Sequence, residues 1–217
     1  MRNSVYVLIP LVAYLLGSIP FGYLIVRMTS GQDVRSIGSG NIGATNVARS
    51  GGKKLGMLTL ALDALKGYLA VMFAEYLARH IFSAGPQSRS AVLACISIAV
   101  LFAMLGHIFP VWLNFHGGKG VATGLGCFIA LAPKAVLVVL LLFAAIVLFF
   151  RYVSLGSIVA SAVFPFFAFL FYRHDVSPAM LASTIAASVL IIVKHRTNIE
   201  RLISGTENRL SFSGKKG

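Results

Sequence analysis

Three short polar stretches carry the side chains of this sequence that could do chemistry. The first, residues 36–49, reads S-I-G-S-G-N-I-G-A-T-N-V-A-R. Closely spaced glycines allow tight turns whose successive N–H groups form an anion nest. Ser39, Gly40, Asn41, Thr45 and Asn46 add hydrogen-bonding groups, and Arg49 adds a two-pronged cation suited to phosphate. The second stretch, residues 110–120, reads P-V-W-L-N-F-H-G-G-K-G and sets Lys119, a compact charge, beside Gly117 and Gly118. The third, K-H-R-T-N-I-E-R at 194–201, supplies Lys194, Arg196 and Asn198 around His195, a residue able to orient a hydroxyl, stabilise phosphate or accept a proton. Ser154, in R-Y-V-S-L-G-S at 151–157, either caps a helix or lines the same site. The chemistry common to these groups is the binding of phosphate.

Each stretch also has a plainer reading: a flexible linker, a positively charged membrane anchor, and a basic flank that ends a span. Two stronger motif matches fail on context. Residues 38–43 match G-x-G-x-x-G, and Asp63 follows Gly43 by twenty residues, but the flanking segments are apolar helices rather than the strands of a βαβ unit. Residues 117–120 lack the leading glycine of a Walker A loop, because Leu113 stands there. G-x-S-x-G and H-x-x-x-x-D are absent, no zinc-binding spacing surrounds His107 or His116, and neither a metal nor a cofactor is expected.

The segments between these stretches decide the class. The chain is 58% hydrophobic with a mean hydropathy of +0.86, and only 12% of its residues are charged, against about 25% in soluble domains. Apolar runs of the length needed to cross a bilayer, roughly 20 residues, fall at 5–26, 55–77, 91–109, 135–150, 155–171 and 178–193, with a shorter one at 121–132 before Pro133. The first is read as a retained helix rather than a signal peptide. The expected fold is therefore an all-α integral membrane protein of seven transmembrane helices with glycine-rich loops. One membrane domain covers residues 1–210, and a basic tail covers 211–217. Asp63 and Lys66, three apart in the second span, share a helical face and are expected to pair inside the bundle. Cys95 and Cys127 lie in apolar runs and read as buried packing.

The net charge of +13 is read as membrane orientation and anion binding, not nucleic-acid binding, because no recognition motif accompanies it. With seven spans, thirteen of the nineteen Lys and Arg residues fall on one side and five on the other, with Lys66 inside a span. The positive-inside rule then places the N-terminus outside and the C-terminus in the cytoplasm. All three polar stretches meet on the cytoplasmic face.

Taken together, the motifs resemble those of a known family. Gly38-Ser39-Gly40-Asn41-Ile42-Gly43-Ala44-Thr45-Asn46-Val47-Ala48-Arg49 resembles the first signature of the bacterial acyl-phosphate:glycerol-3-phosphate acyltransferases, the PlsY family. Gly106-His107-x-Phe109-Pro110 with Phe115-x-Gly117-Gly118-Lys119-Gly120-Val121-Ala122-Thr123 resembles the second, and Lys194-His195-Arg196-x-Asn198-Ile199-x-Arg201-Leu202 the third. Arg151-Tyr152-x-Ser154-Leu155-x-Ser157 also fits, and the order and spacing hold from about residue 15 to 210. His116 stands where relatives often carry another residue.

The resemblance implies a seven-helix enzyme of the bacterial cell membrane, the inner membrane in a Gram-negative cell. Its active site would face the cytoplasm. It would move an acyl group from acyl phosphate to the 1-hydroxyl of sn-glycerol 3-phosphate, giving 1-acyl-glycerol 3-phosphate and phosphate for phospholipid synthesis. Its partners would be acyl phosphate, glycerol 3-phosphate and membrane lipids, with functional coupling to an enzyme that makes acyl phosphate. Ser39, Asn41, Thr45, Asn46, Arg49, Lys119, His195 and Asn198 carry over as site residues, with Arg49, Lys119 and His195 as the catalytic set. An acyl phosphate is already activated, so the hydroxyl can attack it directly, and the substrate phosphate is preferred over His195 as proton acceptor because no buried general-base dyad is evident. The competing readings are an anion transporter and a non-enzymatic lipid-binding protein.

Overall fold

The structure is a computed structural model that describes residues 2–82, 88–174 and 177–210. The tail expected at 211–217 lies outside the described residues. The regular elements described are all helical: α1 (Arg2–Ser18), α2 (Phe21–Ser30), α3 (Ala44–Gly51), α4 (Lys53–Ile81), α5 (Ser88–Ile108), α6 (Val121–Leu131), α7 (Pro133–Phe150), α8 (Val153–Tyr172), α9 (Pro178–Lys194) and α10 (Arg196–Ile203).

Five described segments are long and apolar enough to cross a membrane: Ser4–Ser30, Lys53–Ile81, Ser88–Leu113, Pro133–Phe150 and Val153–Tyr172. A sixth is added when α9 and α10, bent by 55° to each other, are taken as one. The fold is thus an all-α multi-pass bundle, and seven comparable spans are not what it displays. Helix α6 has 11 residues, about 16 Å at 1.5 Å per residue, against a hydrocarbon thickness of about 30 Å. Pro133 stops it, because a proline cannot continue the preceding helical turn.

Two other differences from the sequence expectation bear on the site. The first span is not continuous. Helix α1 ends at Ser18, and α2 starts at Phe21 beyond Ile19 and Pro20, since Pro20 offers no N–H to the turn before it. The first polar stretch is only half loop: residues 44–51 form α3, so Thr45, Asn46 and Arg49 stand on a helix.

Two apolar clusters hold these pieces. The larger gathers Val100, Met104, Cys127, Phe128 and Phe164 with the small residues Ala70, Ala74 and Ala99. In lipid, helices associate by close backbone approach rather than by the hydrophobic effect, and α4 and α6 show it. A Cβ on Gly126 would stand 1.8 Å from the Ala64 carbonyl oxygen, and one on Gly67 would stand 2.2 Å from that of Thr123. The smaller cluster, Val26, Val34, Ile42, Val47 and Leu113, lies beneath the first polar stretch. It pins that stretch between α2 and α3, with about 1.5–3 kcal/mol available per fully buried aliphatic side chain. Asp63 and Lys66 pair at 2.8 Å with both side chains only 2% exposed, and Cys95 and Cys127 are free and buried.

Candidate active site

A cavity of about 250 Å³ opens where the polar stretches converge. Of the expected residues it brings together Ser39, Asn41, Thr45, Asn46, Arg49, Lys119, Ser154, His195 and Asn198. Gly40, Gly117, Gly118, Lys194 and Arg196 are not among its lining residues. Lys194 lies over the Phe109 ring at 5.0 Å, and Arg196 is exposed.

The first wall is organised by Asn46, which is 2% exposed. Its Nδ2 donates to the carbonyls of Val34 (3.0 Å), Ile37 (3.0 Å) and Asn41 (2.9 Å), and its Oδ1 accepts the Ser39 N–H at 2.9 Å. The Gly43 N–H donates to Asn41 Oδ1 at 2.8 Å, a local turn that starts α3. Asn46 therefore spends its hydrogen-bonding capacity on the loop. Ser39 and Thr45 are exposed beside it, and Arg49 is exposed on the same lining.

The second wall corrects the idea of a glycine phosphate clamp. The Gly117 N–H donates to the Ile108 carbonyl at 3.1 Å and the Gly118 N–H to the His107 carbonyl at 3.0 Å. These two N–H groups satisfy carbonyls left open at the end of α5 and so do not face an anion. A Cβ on Gly118 would stand 2.1 Å from His107 Nε2, and one on Gly117 would stand 2.2 Å from the His107 carbonyl oxygen. Only glycine lets the loop lie this close, and the closeness aims Lys119 into the cavity.

Lys119 Nζ donates to Asn198 Oδ1. Asn198 Nδ2 donates to Glu207 Oε1 at 2.8 Å, Ser154 Oγ donates to the same oxygen at 2.8 Å, and Arg201 Nε donates to Glu207 Oε2 at 2.7 Å. Glu207 is thus the acceptor that gathers three side chains from α8 and α10, and sequence reading missed it. The signal was its scarcity: the chain has six acidic residues, and an acid kept among so many cations asks for a partner. Burial would raise its pKa, but the bonds from Arg201, Asn198 and Ser154 outweigh that and hold it below the usual range.

Burial pushes the Lys119 ammonium down to about 8, with Arg201, Arg49 and Lys194 adding repulsion and Glu207 opposing them. His195 is pushed down to about 4, mainly by burial and further by Lys119, so it is neutral at about pH 7. Its Nδ1 lies 2.8 Å from the Ile191 carbonyl oxygen. A carbonyl only accepts, so Nδ1 carries the proton and Nε2 the lone pair. His195 Nε2 is therefore able to accept a hydrogen bond but not to donate one.

A second, apolar groove of about 190 Å³ runs between α6, α7, α8 and α9. It shares Leu60, Val121, Ala122, Phe143 and Ser157 with the polar cavity. Its far end includes Phe128 and Phe164, whose ring centroids are 4.4 Å apart. The site is thus polar at one end and apolar at the other. Among the described residues no three His, Cys, Asp or Glu side chains are grouped to hold a metal ion.

Residues 7–205 match the family model described as glycerol-3-phosphate acyltransferase. The chain is 47% identical to the glycerol-3-phosphate acyltransferase of Syntrophotalea carbinolica over 95% of this chain and 98% of that protein. It is 50% identical to that of Trichlorobacter lovleyi over 91% and 93%. Its fold matches the crystal structure of PlsY (YgiH), an integral membrane glycerol 3-phosphate acyltransferase, in the glycerol 3-phosphate form, with a TM-score of 0.80 and 39% identity over 94% of this chain and 95% of that one. The lysophosphatidic acid form of that protein matches with a TM-score of 0.76 and 38% identity over the same shares. A polar, cationic cavity opening into an apolar groove, carried on a bundle of this shape, belongs with these relatives: the chain is a member of the glycerol-3-phosphate acyltransferase family.

Proposed function

We propose that this protein transfers the acyl group of an acyl phosphate to the 1-hydroxyl of sn-glycerol 3-phosphate, releasing 1-acyl-sn-glycerol 3-phosphate and inorganic phosphate. The observation that carries this reading is the shared rim of the polar cavity and the apolar groove. A donor with an anionic head and a long tail needs both surfaces in continuity, whereas a transported anion needs no apolar branch. Arg49 and Lys119 offset the charges of two anionic substrates, and holding both substrates in one cavity converts a bimolecular encounter into a local one.

The hydroxyl oxygen attacks the acyl carbonyl carbon. The new ester C–O bond forms as the carbonyl-to-phosphate C–O bond breaks, and the phosphate leaves with the electron pair. The hydroxyl proton passes to the departing phosphate. His195, neutral with Nε2 as acceptor, orients the hydroxyl, and a pKa near 4 makes it a poor resting place for the proton. No covalent enzyme intermediate and no cofactor are required.

We also read the chain as crossing the membrane seven times, N-terminus outside and C-terminus cytoplasmic. Ser39 beyond α2, His107 at the end of α5 and His195 beyond α9 line the cavity, as do Val121 at the start of α6 and Ser154 at the start of α8. Each pair of successive helices thus leaves the site and returns to it, which favours an odd number of traverses with α6 as the short outward one. The excess of Lys and Arg on the site's side supports a cytoplasmic site in a bacterial cell membrane, where a soluble or peripheral enzyme making acyl phosphate can supply it.

Purified protein given acyl phosphate and glycerol 3-phosphate should form lysophosphatidate and phosphate in equal amounts, with acyl-CoA and acyl carrier protein donors giving none. Activity confined to a thioester donor, or full activity in a correctly inserted Lys119→Ala protein, would overturn the proposal.

A further inference from the structure

The mechanism leaves one buried charged pair unused. Asp63 and Lys66, one turn apart on α4, form an ion pair at 2.8 Å, and both side chains are 2% exposed. Such a pair is costly to place away from water and contributes little net stability compared with apolar residues of similar size. Its contacts point to another use. Lys66 Nζ donates to the Ile19 carbonyl at 2.7 Å, in the break between α1 and α2. From there α2 packs on the first polar stretch, where a Cβ on Gly22 would stand 1.9 Å from the Ile42 carbonyl oxygen.

On the other side, Asp63 Oδ1 lies 3.6 Å from His107 Nδ1. Its contact with Lys66 is short but not directed as a hydrogen bond, so Oδ1 and His107 Nδ1 are both buried polar atoms without a hydrogen-bond partner. His107 Nε2 faces the backbone of Gly118, and the His107 carbonyl accepts the Gly118 N–H at 3.0 Å. The residue after Gly118 is Lys119.

We propose that Asp63, Lys66 and His107 are positioning residues. The ion pair locks the break in the first span on one side and, through His107, the loop that aims Lys119 on the other, setting the two polar walls in register. Asp63 and His107 border the cavity, but the Asp63 side chain is only 2% exposed and its Oδ1 is paired with Lys66 at 2.8 Å, and a carboxylate presented to dianionic substrates would repel them, so its action passes through the loops. The proposal rests on the acyl-transfer reading for its assay.

The test compares Asp63→Asn, the charge-free pair Asp63→Asn/Lys66→Met, and His107→Leu with His107→Asn, each made also in a Lys119→Ala background. Asp63→Asn alone strands a buried ammonium and is expected to accumulate poorly. The double variant removes both charges and should recover a folded, monodisperse protein. We expect the double variant and His107→Leu to raise the KM for glycerol 3-phosphate about tenfold with kcat changed by less than about threefold, the pattern of lost ground-state positioning. His107→Asn, which keeps an N–H near Asp63, should recover most of the affinity.

In the Lys119→Ala background the same changes should cost little more, because residues acting through one group are not additive. A wild-type KM in the folded double variant, or losses that simply multiply with Lys119→Ala, would overturn the proposal. His107→Leu leaves the ion pair intact and decides the question if both charge variants are lost from the membrane. A wild-type protein that makes no lysophosphatidate would instead refute the acyl-transfer reading.

Discussion

The site makes a sharp prediction about pH through Lys119. Its ammonium is pushed down to about 8 in the open cavity, chiefly by burial. A group with a depressed cationic pKa keeps its charge below that value and loses it above. With a pKa of about 8, the charged fraction is about 0.9 at pH 7 and about 0.1 at pH 9. If only the ammonium form binds the phosphate of glycerol 3-phosphate, the apparent KM rises about tenfold between those two pH values. The substrate does not confuse the result, because a phosphate monoester with a second pKa of about 6 is already dianionic across this range. Once bound, that dianion stabilises the ammonium and lifts its pKa, so kcat should change far less than KM. Lys119→Arg supplies the control: guanidinium does not titrate here, so its KM, though higher at pH 7, should stay flat to pH 9. The assay is initial-rate phosphate release at saturating acyl phosphate, with glycerol 3-phosphate varied at each pH. A wild-type KM constant within about twofold from pH 7 to 9, or the same rise in Lys119→Arg, would refute the argument.

Asn46→Ala removes the bonds that shape the first wall, two amide hydrogens shared among three carbonyls and one bond accepted from the Ser39 N–H. At about 1 kcal/mol net for each, it should lower thermal stability in detergent and open residues 34–43 to proteolysis, and an unchanged digestion pattern would count against Asn46 as the organiser. Gly118→Ala places a methyl 2.1 Å from His107 Nε2, so the loop must move and activity should fall at least tenfold in a protein that still inserts, whereas a near-normal rate would show that loop closeness is not needed. Ala160→Phe fills the apolar groove and should depress turnover of long-chain acyl phosphates more than short-chain ones; equal loss at every length would remove the groove from the tail's path. Glu207→Gln weakens the charge-assisted bond from Arg201 and loosens Asn198, and should lower kcat about tenfold while membrane levels stay comparable.

Much of the site was legible because its residue types are anomalous where they stand. Polar glycine-rich stretches between apolar runs announce themselves, and nine of the expected residues do line one cavity. Asp63 and Lys66 were legible for the same reason, since charges three apart in an apolar helix have few partners but each other. What each group does was less legible. Gly117 and Gly118 looked like anion donors, but their N–H groups close the end of α5. Asn46 looked like a ligand group, but it is committed to the loop. Glu207 stands outside every motif read from the sequence, yet it organises Asn198, Ser154 and Arg201.

Composition and hydropathy by themselves determined the membrane class and the order of the apolar segments, and the three polar motifs carried the family resemblance, because all of these are read locally along the chain. The tertiary structure alone decided that Lys66 caps the Ile19 carbonyl, that Glu207 accepts from Ser154, that Lys119 meets Asn198 and that an apolar groove joins the cavity. Each of these depends on a partner brought from elsewhere in the chain. Lys66 reaches Ile19 across 47 residues and Lys119 reaches Asn198 across 79, separations over which no sequence period carries information, so only packing could fix which donor meets which acceptor.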